Sequence, residues 1–214
     1  MPLYKTAHGR LLTSLVALGF VGIGIGLRAE SASHVKTADH SVHAAHSMSL
    51  GPADESFDLR FIDAMIPHHE GAVIMAKEAL EKSQRPEIRQ LAEAILAAQS
   101  EEIEQMQAWR LSWYPEAPRY PLMWHEEMGH MMAMTPETLS DMRMDSDLGS
   151  ADDQFDLRFM EAMILHHEGA VIMAEEALQK SQRPEILQLA EAILASQQAE
   201  IDQMRAWQQQ WYPQ

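Results

Sequence analysis

The chain contains the same segment twice. Residues 57–115 align without a gap onto residues 155–213 at a constant offset of 98, and 45 of the 59 aligned positions are identical. FDLRF recurs at 57 and 155, HHEGAVIMA at 68 and 166, SQRPEI at 83 and 181, and WYP at 113 and 211. A period this long in only two copies does not make a solenoid. The two copies must instead complete one body.

Each copy reads as a helical hairpin. Apolar residues recur at helical spacing from Asp54 to Lys82, and again from Asp152 to Lys180. Ser83, Gln84 and Arg85 form a turn. Pro86 then suits the first position of a new helix, and Glu87 suits its first turn. The second helix runs to Trp113 and stops at Tyr114-Pro115, as its counterpart stops at Tyr212-Pro213. Four long helices joined by short turns imply an all-α four-helix bundle.

The remaining segments differ in character. Residues 1–30 hold Lys5, His8 and Arg10, then an uncharged run from Leu11 to Leu27, then small residues. That is the layout of a secretory signal or an uncleaved membrane anchor. Either places the rest of the chain in the periplasm or outside the cell, and only an uncleaved segment would touch a membrane. Residues 31–53 are rich in Ser, Ala and His, with His34, His40, His43, His46 and Met48, and read as flexible. Residues 116–153 link the two hairpin repeats, 54–115 and 154–214. This linker is dense in Met and His: Met123, His125, Met128, His130, Met131, Met132 and Met134. Thr135-Pro136-Glu137 marks a capped start to a short helix.

Composition narrows the function. A net charge of −16 argues against nucleic-acid binding, which draws its affinity from Lys and Arg on phosphates. It suits a protein that attracts cations. There is no cysteine, but there are 16 Met and 11 His. Thioether and imidazole are the soft-metal ligands that remain where thiols would oxidise.

These ligand types gather on one helix face. Met65, His68, His69, Ala72, Met75, Ala76 and Ala79 fall within an arc of about 120°. The partner helix carries a stripe of Ile88, Leu91, Ala92, Ile95, Gln99, Glu102, Met106, Trp109 and Trp113. Gln99 and Glu102 stand where apolar residues are expected, and a buried carboxylate needs a donor or cation beside it. Counting from the turn, His69 and Gln99 both lie about 22 Å away at 1.5 Å per residue. Met65, His68, His69, Glu102 and Met106 are therefore expected at one level of the first hairpin. Met163, His166, His167, Glu200 and Met204 are expected at the matching level of the second. Met75 and Met173 share the face but lie nearer the turn.

Thioether plus imidazole suits Cu(I) and Ag(I), and Cu(II) as His and carboxylate increase. A di-iron bundle needs several Glu and two E-x-x-H pairs on core helices. The single E-x-x-H here is Glu127 to His130, in the linker. Met123, His125, Met128, His130, Met131 and Met134 make a candidate secondary set for collecting metal. Three readings stay open: a copper-binding protein for tolerance, sequestration or delivery that is not an enzyme; a metal-dependent oxidase; and a metal-free envelope scaffold in which His–Glu pairs tie helices together.

AMIPHHEGAVIMA at 64–76 and AMILHHEGAVIMA at 162–174 resemble the bacterial domain of unknown function 305. So does Q-x-x-E-I-x-x-M-x-x-W at Gln99–Trp109 and Gln197–Trp207. CopM-like copper-binding proteins are that family's best-understood members. The resemblance spans residues 54–214. It implies a ferritin-like four-helix bundle, a periplasmic or extracellular location, and binding of copper and silver. A periplasmic export or delivery protein would be the partner. By position, it places the ligands among Met65, His68, His69, Glu102 and Met106 and their second-copy equivalents. Pro67 becomes Leu165 in the second copy, so a proline at that position is not essential.

Overall fold

The computed structural model describes residues 49–213. The expected export segment and His34, His40, His43, His46 and Met48 lie outside the described residues. Helix α1 spans Phe57–Lys82 and α2 spans Pro86–Trp113. A short antiparallel pair follows, β1 (Leu122–His125) and β2 (His130–Ala133), then α3 (Pro136–Arg143). Helices α4 (Phe155–Lys180) and α5 (Pro184–Trp211) complete the second copy. Pro86 and Pro184 each sit in the first turn of their helix, where the missing N–H costs nothing. Among the described residues no helix is long and apolar enough to cross a membrane.

The linker is more structured than its composition suggests. Its Met/His stretch is a β-hairpin, not a flexible tether, and it lies against α1. Met134 N–H donates to the Pro121 carbonyl and closes the base of the hairpin. Leu122 N–H donates to the buried Asp63 carboxylate on α1 at 2.9 Å, which fixes the hairpin to the helix. Thr135 caps α3 by accepting from Thr138 N–H.

The hairpins pack head to tail, with the turn of each against the open end of the other. Arg85 pairs with Asp156 at 3.2 Å and lies 4.1 Å from the centre of the Trp211 ring. In the same way Arg183 pairs with Asp58 at 3.4 Å and lies 4.1 Å from the Trp113 ring. Lys82 donates to the Gly149 carbonyl, and Lys180 to the Gly51 carbonyl. The duplication therefore begins earlier than residue 57. Leu50-Gly51 and Leu148-Gly149 occupy matching places, and Arg60 and Arg158 bind the Leu50 and Leu148 carbonyls. Gly51 has φ +83° and Gly149 φ +74°, a conformation that other residues rarely adopt.

This arrangement divides the core in two. One cluster joins Phe57, Phe61, Ile62, Met65 and Met106 of the first copy to Met173, Ala174, Ala177, Ile186 and Ile193 of the second. The other joins Met75, Ala76, Ile88 and Ile95 to Phe155, Phe159, Met160, Met163 and Met204. Neither hairpin has a complete core of its own.

Candidate metal centre

Four histidines form a polar layer where α1 meets α4. His68, His69, His166 and His167 are all fully buried. The expectation that they face the interior holds. Their partners are only partly those expected within one hairpin.

His69 Nε2 lies 2.7 Å from Glu102 Oε2, and His167 Nε2 lies 2.6 Å from Glu200 Oε2. The turn geometry foresaw this meeting. Both carboxylates are partly exposed at the rim while the imidazoles are not. A neutral His that donates through Nε2 keeps its lone pair on Nδ1. The Nδ1 atoms of His69 and His167 are buried with no hydrogen-bond partner. This is how a carboxylate orients a metal-binding imidazole from outside the coordination sphere. Glu102 and Glu200 therefore each hold one histidine by its Nε2.

His68 and His166 turn away from the glutamates and toward each other. Their ring centres are 3.8 Å apart and the planes are tilted by 49°. His166 Nε2 lies 2.8 Å from the His68 carbonyl and 3.1 Å from the Arg143 carbonyl, and donates to them. Both ring nitrogens of His68 lack a partner among the described residues, as does Nδ1 of His166. The helical arc puts His68 and His69 on one buried face, but it cannot reveal that His68 pairs with its own repeat. Burial holds the His68 pKa well below the usual imidazole value, and the neighbouring His166, His69 and His167 lower it further. Burial likewise lowers that of His166 to about 3, with His167 and His69 adding to the effect and the two carbonyls opposing it. Both rings are neutral at pH 7, the form in which imidazole binds metals.

The thioethers are distributed across the copies. Met65 and Met106 share a cluster with Met173, and Met163 and Met204 share the other with Met75. All six are fully buried. Met65 and Met106 thus share one cluster, as do Met163 and Met204, and each cluster gains a third Met from the opposite hairpin. Gln99 and Gln197 are also buried, with unpaired side-chain atoms. Among the described residues no three His, Asp or Glu side chains are grouped to hold an ion.

Sequence reading missed Gly71 and Arg143. A Cβ at Gly71 would stand 1.8 Å from the Arg143 carbonyl oxygen, so glycine lets the end of α3 reach α1 and present that carbonyl to His166. The HHEG string contained this glycine, but nothing in it named the segment that would lie there.

Of the linker candidates, Met123 packs against the first core cluster and Met134 is buried in it. His125 and Met131 are half-buried, His130 is exposed and Met128 is about half exposed on the turn.

Two duplicated helical hairpins enclose a buried layer of imidazoles, with buried thioethers in the core on either side of it. The chain belongs to the DUF305 family, whose model, a domain of unknown function, matches residues 58–208. Among solved structures it is similar to CopM in its Cu(II)-bound form, with 36% identity and a TM-score of 0.58 over 72% of this chain and 97% of that one. It is also similar to CopM in a silver-bound form, at 34% identity and a TM-score of 0.57 over the same shares. A DUF305 fragment from Deinococcus radiodurans matches at 32% identity and a TM-score of 0.52, over 73% of this chain and 97% of that one. No curated protein matches the chain.

Proposed function

We propose that this protein binds copper as Cu(I) or Cu(II), and silver, outside the cytoplasm, for sequestration or delivery and without catalysing a reaction. The observation that carries the reading is the set of five unpaired, buried ring nitrogens on His68, His69, His166 and His167, in a core that also buries Met65, Met75, Met106, Met163, Met173 and Met204. An unpaired buried N–H, as on His68, costs about 1–3 kcal/mol. Imidazole lone pairs beside thioethers form a donor set for soft cations. In this reading His69 acts with Met65, Met106 and Met173, and His167 with Met163, Met204 and Met75. Glu102 and Glu200 fix the ring tautomers. The likeness to CopM, solved with Cu(II), Cu(I) and silver bound, supports the choice of metal. The N-terminal apolar run supports export, as does similarity to a Streptomyces coelicolor DUF305 protein considered to be secreted.

The test is elemental analysis of copper-loaded, desalted protein. Wild type retains copper, and the His68→Ala/His69→Ala/His166→Ala/His167→Ala variant loses it. Wild type that retains none would overturn the reading.

One observation favours a metal-free scaffold instead. The His69–Glu102 and His167–Glu200 contacts each tie two helices together without an ion. On that reading chelators and added silver leave the melting temperature unchanged, whereas a ligand of the folded state must raise it.

A further inference from the structure

We propose that the β1–β2 hairpin carries a separate surface site for a soft monovalent cation, Cu(I) or Ag(I), made by Met123, His125, His130 and Met132. The strand register pairs Met123 with Met132 and His125 with His130. Directly opposed residues of an antiparallel pair project to the same face, and alternate residues along a strand share a face. All four side chains therefore stand on one side of the hairpin. Opposed Cβ atoms lie about 5 Å apart, and residues i and i+2 are separated by about 7 Å. Two thioethers and two imidazoles thus occupy a patch small enough for a single ion to draw together.

The opposite face has another task. It carries Trp124 and Met131, and Trp124 lies 5.4 Å from the Arg60 guanidinium and so close to Gly51 that a Cβ there would overlap it. That face docks the hairpin on the body. The Met/His face is covered at one end, where Met123 packs against the first core cluster, and opens toward the turn, with His130 exposed and His125 and Met132 half-buried.

The imidazoles are set for the role to different degrees. His130 Nδ1 lies 3.0 Å from the Met131 carbonyl and donates to it, leaving the Nε2 lone pair for an ion. His125 Nδ1 accepts from Met128 N–H at 3.3 Å, a long bond that yields when the tautomer changes. Glu126 and Glu127 in the turn add negative charge beside the patch. This set differs from the one composition suggests. Met132 enters, while Met131 faces the other way, Met134 is buried below the strand and Met128 sits on the turn.

The test is an Ag(I) titration of the purified protein, followed by elemental analysis and by the 13C-methyl signals of methionine. The signals of Met123 and Met132 should shift and that of Met131 should not. The variant Met123→Leu/His125→Ala/His130→Ala/Met132→Leu should retain one silver fewer per chain, and Met131→Leu should retain the full number. Unmoved Met123 and Met132 signals, or an unchanged silver content in the quadruple variant with native helicity, would overturn the site. If that variant fails to fold, the methyl signals of the wild type decide. The core reading fails on a different variant, the one lacking His68, His69, His166 and His167, so the two failures are distinguishable.

Discussion

His68 and His166, the same residue of the two copies, meet with their ring centres 3.8 Å apart in the middle of the protein. Two neutral imidazoles are thus held in a close, tilted pair in the buried interior, and acid must act on them.

In metal-free protein, both pKa values lie below the ordinary imidazole value in the native state and return to it on unfolding. The unfolded chain therefore takes up protons that the native one refuses. The stability these groups contribute is complete above about pH 6.5 and is lost as pH falls toward about 3, where His166 itself titrates. Two such groups give a slope of about 2.7 kcal/mol per pH unit. Their surroundings, His69, His167 and the Arg143 carbonyl, supply no carboxylate to hold the added charge. Urea midpoints at pH 7.5, 6.5 and 5.5 should fall most steeply over the last step. A flat profile would contradict the neutral pair.

Glu102 and Glu200 should be separable from the ligands they orient. Glu102→Gln/Glu200→Gln keeps the fold and weakens silver affinity by roughly 10–100-fold. His69→Ala/His167→Ala removes the core sites entirely. Competition titration distinguishes the two outcomes. Equal losses in both variants would make the glutamates direct ligands.

Equivalent positions of the repeat should not respond equally. Asp63 is buried, pairs with Arg110 and accepts from Leu122 N–H, while its counterpart Glu161 is exposed. Burial raises the pKa of Asp63, and the Arg110 and Leu122 bonds oppose the rise. Asp63→Ala strands a guanidinium and a backbone N–H and should cost about 3 kcal/mol. Glu161→Ala should change stability by no more than about 0.5 kcal/mol. Denaturant midpoints of the two variants check this.

Gly71→Ala should destabilise by about 1–3 kcal/mol, because its methyl group would overlap the Arg143 carbonyl rather than a flexible side chain. Thermal melts measure it. A neutral result would mean that α3 is not seated on α1.

The sequence revealed what lies within one repeat. Helical periodicity and Pro86 located α1 and α2, and counting residues from the turn brought His69 to Glu102. What it could not reveal depends on contacts between the repeats. Met75 and Met173 fall on the right face, yet no periodicity shows that each joins the thioethers of the opposite hairpin. The head-to-tail docking also has a trace in the sequence, Leu-Gly at 50 and again at 148. The linker hairpin was hidden for a different reason. Its strands are four residues long and rich in Met and His, without the β-branched alternation that marks a strand.

Cu K-edge X-ray absorption of the protein loaded with Cu(I), with the hairpin ligands Met123, His125, His130 and Met132 replaced, probes the core centre alone. The account predicts copper retained in a mixed shell of methionine sulfur and histidine nitrogen, lost when Met65, Met106, Met163 and Met204 become leucine. A shell of nitrogen and oxygen only, or a spectrum unaffected by those four substitutions, would contradict it.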